Sequence, residues 1–140
     1  MWREAEDGRA VAFDVVFAKD SVLPAPGEVP LTCTRRYQPA HTIGHFRYLE
    51  CSQLTHTGAP AGDLTPWDEV YFPFVPALHA ADYLQGLSIT RLERAAPWIE
   101  ERYTCDAHGI ITVEMQNQTC DYARRYHLRG SAPRDPVAVG

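Results

Sequence analysis

The sequence has a single lysine, Lys19, and no apolar run approaching the roughly 20 residues that a membrane-spanning helix requires. Its only basic pairs are Arg35-Arg36 and Arg124-Arg125, and its formal net charge is −5. Binding to nucleic acid draws on a concentration of Lys and Arg that releases phosphate counterions, so that class of partner is not expected. The first ten residues lack a basic stretch followed by an apolar core, so no export signal and a cytoplasmic location are expected. Cys-x-x-Cys is absent. Cys33, Cys51, Cys105 and Cys120 are widely spaced in segments of strand character, which reads as four reduced thiols acting as small, mostly buried apolar residues.

Sequence patterns for catalysis are missing as well. There is no His-Glu-x-x-His, no Gly-x-Ser-x-Gly around Ser21, Ser52, Ser88 or Ser131, and no Gly-rich phosphate loop. His41 and His45 stand four apart, which on a strand is roughly 13 Å at about 3.3 Å per residue, too far to clamp one ion with Cys51. Asp63, Asp68 and Glu69 read as solvated loop carboxylates rather than an acid-base pair. The expectation is a protein with no catalytic residues, no metal and no cofactor, hence not an enzyme. Eleven prolines and nine glycines argue against long helices and for short strands.

Within these limits, 140 residues suffice for one domain with a real core, and 45% apolar with 22% charged residues excludes a disordered chain. The clearest pattern runs from Trp98 to Leu128. Ile99, Tyr103 and Cys105 share one parity and Glu100, Arg102 and Thr104 the other, with Glu101 breaking the pattern. Asp106 to Gly109 supplies a reversal; Ile111, Val113 and Met115 then alternate with Thr112 and Glu114. After the polar Gln116-Asn117-Gln118, Tyr122, Tyr126 and Leu128 resume the alternation, predicting a three-stranded antiparallel meander. At the other end, Trp2–Glu6, Asp7-Gly8 and Arg9–Phe17 predict a hairpin. Leu31–Arg35 and Ala40–Cys51 read as strands, the second with a bulge near Gly44. Trp67 to Phe74 reads as an edge strand, because Pro66 and Pro73 exclude it from a sheet centre. Its aromatics Trp67, Tyr71, Phe72 and Phe74 read as core; the alternative is an exposed peptide- or sugar-binding face. Ala77 to Gln85 is expected to form a short helix with Leu78, Ala81 and Leu84 inward, ended by Gly86, with a strand beginning near Leu87.

Two stretches carry a family resemblance. Ile99, Glu100, Asp106, Gly109, Ile110, Ile111 and Val113 fall on the places of I-E-V-x-F-x-x-D-x-x-G-I-L-x-V in the substrate-binding domain of DnaK-type heat-shock chaperones. Upstream, Val16 to Pro24 resembles that family's strand, basic-polar pair and x-x-I-P, with Asp20 for Asn or Asp and Leu23 for Ile. Gln38 to Ile43 is similar to its D-N-Q-x-x-V-x-I segment, with Arg36-Tyr37 in place of the acidic-amide pair. The resemblance implies an all-β fold, a two-sheet antiparallel β-sandwich over residues 1–130, with 55–97 as an insertion atypical of the family and 131–140 as a flexible tail. It also implies non-catalytic binding of extended apolar segments of unfolded or client polypeptides, with an ATPase domain elsewhere in a longer protein. Carried over by position, the peptide-binding cleft falls on Leu31, Thr34, His41 and Ile43, under an arch near Glu6 to Ala10. Two further readings remain open: a structural or regulatory sandwich without peptide binding, and a carbohydrate-binding sandwich using Trp67 and Tyr71.

Overall fold

Alternating side chains over so many short segments call for sheets that each bury one face. A computed structural model, which describes residues 2–6, 11–17, 22–56, 60–81, 83–92 and 95–128, shows them. The described strands are β1 (Trp2–Glu6), β2 (Val11–Val15), β3 (Leu31–Tyr37), β4 (Ile43–Leu54), β5 (Pro60–Pro73), β6 (Ile99–Cys105), β7 (Ile111–Asn117) and β8 (Tyr122–Leu128). They form two four-stranded sheets, ordered β2-β1-β4-β5 and β3-β6-β7-β8, with every pairing antiparallel. This is the two-sheet antiparallel sandwich the sequence predicts. The opening hairpin and the closing meander belong to different sheets of it. The Asp7-Gly8 reversal, most of the expected arch, Lys19-Asp20 and the tail 131–140 lie outside the described residues.

The meander follows the alternation closely. Ile99, Tyr103 and Cys105 of β6 and Ile111, Val113 and Met115 of β7 are buried, and they meet Phe46, Tyr48, Val70, Phe72 and Phe74 of the facing sheet. Fully burying side chains of this size stabilises by about 1.5–3 kcal/mol each, so this interface holds the two sheets together. The reversal between β6 and β7 works through Asp106. Its Oδ1 accepts hydrogen bonds from the amides of His108 (2.8 Å) and Ile110 (3.0 Å), while Gly109 takes φ +76°.

Glu101 stays on the inward parity and is fully buried. It is tolerated because the hydroxyls of Tyr37 and Tyr103 both donate to its carboxylate, and Tyr103 is paired with Tyr48 at 2.9 Å. The break in the pattern therefore marks a polar chain sealed between the sheets.

The other sheet corrects several expectations. β5 is at the sheet margin as its prolines require, with Pro66 opposite Leu49 next to a register shift. The irregularities of β4 lie between Arg47 and Leu49 and between Cys51 and Gln53, not at Gly44. Gly44 is regularly paired and is glycine for another reason: a Cβ there would sit 2.5 Å from the Phe74 ring and 2.6 Å from the Phe46 ring. Trp67, Phe72 and Phe74 pack in or against the core, while Tyr71 lies on the opposite parity with its ring stacked on His45. In place of the helix expected over Ala77 to Gln85 there is one 3₁₀ turn, Pro76–Leu78, followed by turns. Two helical turns are too few to repay their nucleation, and the amides of Leu78, His79 and Ala81 each bond three residues back instead. Gly86 takes φ +88° at the next turn, where the amide of Leu87 bonds to Leu84 O. Instead of a strand from Leu87 there is an isolated bridge, His41 with Arg91. Cys105 is buried and Cys33 and Cys51 are half-buried, but Cys120 is exposed in the β7–β8 turn rather than inside a strand.

Candidate functional site

Antiparallel order brings the last residues of β3, β5 and β7 to the same end as the first residues of β4, β6 and β8. The connections 38–42, 74–98 and 118–121 therefore converge there. They enclose a cavity of about 640 Å³. Phe74, Val75 and Pro76 form one wall where the chain leaves β5. Thr90, Arg91, Leu92, Ala95 and Pro97 form a second, and Asn117, Thr119, Cys120 and Thr42 complete it.

Each wall has a local cause. Asn117 continues the inward parity of Ile111, Val113 and Met115 and is buried, so its amide must be satisfied inside. Its Oδ1 accepts from the amides of Thr119 (3.0 Å) and Cys120 (3.2 Å), which shapes the turn, and its Nδ2 donates to Phe74 O at 3.5 Å. Asp121 completes this reversal with φ +57°. Thr42 ties two segments together: its carbonyl accepts from the Phe74 amide (2.8 Å), and its own amide donates to Thr90 O (2.9 Å). The Leu92 amide donates to Ala40 O (2.8 Å), and the Thr90 amide to Thr42 Oγ1 (3.2 Å). Residues 90–92 thus lie antiparallel to residues 40–42 through main-chain bonds.

On the β8 side, the His79 ring stacks on Tyr122 with centroids 3.6 Å apart, and Arg124 donates to His79 O at 3.2 Å. His79 Nε2 is shut off from solvent without a hydrogen-bond partner. Burial, and secondly the Arg124 charge, hold the His79 pKa below its ordinary value. Burial likewise raises the Tyr126 pKa, its hydroxyl donating to Tyr71 O at 3.2 Å. Outside the mouth, the Arg36 guanidinium lies 4.4 Å from the centre of the exposed Trp98 ring and donates to Gln118 Oε1 at 2.9 Å. Among the described residues no three His, Cys, Asp or Glu side chains come together as ion ligands.

The four residues assigned to the cleft are not brought together. Leu31 packs against the core at the far end of β3, where it pairs with Cys105. It lies six positions from Tyr37, roughly 20 Å of strand. Thr34 is exposed on the outer face of β3. His41 and Ile43 lie at the cavity end, His41 half-buried in its bridge to Arg91 and Ile43 only 1% exposed. Their neighbour Thr42 lines the cavity. Phe74 was marked by its place among the alternating aromatics, whereas Val75, Pro76, Thr90, Arg91, Leu92, Ala95 and Pro97, which sequence reasoning missed, sit in connections without periodicity. Asn117 did carry a signal, as a polar residue on an apolar parity. Comparison of the chain with protein-family models, with curated proteins and with solved structures returns no match.

Proposed function

We propose that the sandwich is a non-catalytic binding module for an extended, apolar polypeptide segment, held at the end where residues 38–42, 74–98 and 118–121 converge. The observation that carries this reading is the cavity. At about 640 Å³ it has room for one or two large side chains. Its lining is chiefly apolar, from Phe74, Val75, Pro76, Leu92, Ala95 and Pro97, with a few polar groups, Asn117 and Thr119 among them, to fix orientation. Main chain already bonded in extended form beside it, Ala40 to Thr42, is the kind of edge by which such modules hold a peptide backbone. The DnaK-type resemblance of Val16–Pro24 and Ile99–Val113 is what suggests a peptide as the ligand; of the first stretch, Val16 and Phe17 pack in or against the core. In that reading the partner is an unfolded or client segment, and an ATPase domain belongs to the longer protein.

The carbohydrate reading has less behind it. Trp67 packs against the core and one face of Tyr71 is covered by His45, so the pair does not offer a flat stacking surface. The test is a fluorescence-anisotropy titration with a labelled Leu-rich heptapeptide. Saturable binding is expected, weakened at least tenfold by Ala95→Trp, which fills the cavity from an exposed position without touching the core. Absence of saturable binding to the native chain refutes the proposal.

A further inference from the structure

An extended ligand needs a main-chain edge as well as a pocket. Beside this cavity the edge formed by Ala40 to Thr42 is already taken, because Thr42 N–H donates to Thr90 O and Leu92 N–H donates to Ala40 O. The segment that takes it is attached lightly. It forms an isolated bridge rather than a strand, supplemented by the Thr90 N–H to Thr42 Oγ1 bond, and Leu87, Ser88, Thr90 and Arg91 are exposed. Ile89 and Leu92, three apart, are its half-buried apolar residues, and Leu92 lines the cavity. A second observation points the same way. Ile43 has the opposite parity to Phe46 and so faces away from the sandwich interior, yet it is covered; Leu84, in the same connection as the bridged segment, is buried as well, and both stand outside the intersheet cluster.

We infer that Ile89–Leu92 is a strap that occupies in cis the main-chain edge an incoming peptide requires, so that the chain carries its own competitor. This rests on the peptide-binding reading and adds its regulation. The strap also describes the ligand: an extended segment with apolar residues three apart and a polar and a basic residue between them, as in Leu87-Ser88-Ile89-Thr90-Arg91-Leu92 itself.

His41 and Arg91 form a non-hydrogen-bonded antiparallel pair, whose Cα atoms in general lie about 4.5 Å apart, a separation a disulfide can span. The test is therefore the variant His41→Cys with Arg91→Cys in a Cys120→Ser background, its bond verified by peptide mapping. It is titrated oxidised and reduced with labelled Leu-Ser-Ile-Thr-Arg-Leu and with the Leu-rich heptapeptide. The strap predicts at least tenfold weaker binding when oxidised, restored by reduction. In a separate Thr42→Val variant, which lacks the side-chain acceptor for Thr90 N–H, binding should tighten by about two- to tenfold. Equal binding by the oxidised and reduced forms, or no tightening in Thr42→Val, overturns the strap and leaves the peptide-binding reading standing. No saturable binding by any form, the native chain included, overturns both.

Discussion

Replacing Glu101 by Leu exposes what the buried polar chain contributes. In the native sandwich Tyr103 gives its one hydroxyl proton to Glu101, so in the Tyr48–Tyr103 pair Tyr48 must be the donor. Removing the carboxylate takes from Tyr103 and from Tyr37 the acceptor to which each hydroxyl donates. An orphaned buried donor costs about 1–3 kcal/mol, and Tyr37, half-buried, lies at the low end because water can reach it. Relief from burying a charge offsets part of this. The expected net loss is about 1–3 kcal/mol, or roughly 3–12 °C in Tm at this chain length. Urea unfolding followed by far-UV circular dichroism should show a lower midpoint with an unchanged slope. Glu101→Gln keeps one acceptor and is expected to lose only about 1 kcal/mol. The decisive comparison is Glu101→Leu with Tyr48→Phe and Tyr103→Phe added. The extra substitutions remove the orphaned hydroxyls, so the triple variant should be at least as stable as the single one. If instead the triple variant loses the further sum of the two Tyr→Phe costs measured alone, the hydroxyls are not coupled through Glu101 and this account fails.

Three other outcomes follow from the same structure. Gly44→Ala drives a methyl group into the Phe46 and Phe74 rings inside a packed core, and overpacking of this kind costs about 1–3 kcal/mol, visible as a lower urea midpoint; unchanged stability would mean that the rings do not crowd Gly44. Asp106→Ala removes the acceptor of two turn amides and should cost about 1–2 kcal/mol, with hydrogen exchange of His108 and Ile110 accelerating first. His79 has its pKa lowered on folding, so the unfolded chain binds its proton more readily. Its contribution to stability is complete above about pH 6.5 and is lost as the pH falls below that value toward the folded-state pKa. His79→Phe, which keeps the ring on Tyr122, should flatten this part of the Tm-pH profile, and a profile of undiminished slope would assign it to other groups.

The limits of reading this fold from its sequence lie in what alternation encodes. Period two states which residues share a face, and that was enough for the meander, the hairpin and the edge position of β5, where prolines exclude a neighbour. It does not state how a face will be covered. Glu101 was visible as an exception, but of its two hydroxyl donors only Tyr103 is close in sequence; Tyr37 comes from β3, and Tyr48 of the other sheet pairs with Tyr103, so the local sequence did not announce how the carboxylate would be satisfied. Gly44 was legible as a special position and misread as a bulge, because a glycine needed for ring clearance and one needed for backbone conformation leave the same letter. Leu78, Ala81 and Leu84 carry helical spacing, yet a segment that short is decided by what it packs on. Leu31 and Ile43, assigned by position to the cleft, are apolar and on strands, and the sandwich places them at opposite ends, Leu31 against the core and Ile43 beside the cavity.

The stretch 55–97, set apart by its departure from the family pattern, divides physically at Phe74. Before that point it is β5, which pairs along β4 and puts Val70 and Phe72 into the core, so it is no appendage. After it, the main-chain bonds among the described residues are three turn bonds between Val75 and Ala81, one at Leu87, and the bridge to residues 40–42. Turn bonds and an isolated bridge open at lower cost than strands locked in ladders, because local opening scales with what must be broken. The same connection supplies two walls of the cavity and occupies its only described adjoining non-sheet edge. A segment joined through an isolated bridge is thus the one a ligand would have to displace, and this coincidence, more than the cavity alone, makes the loop end the place to look for regulated binding.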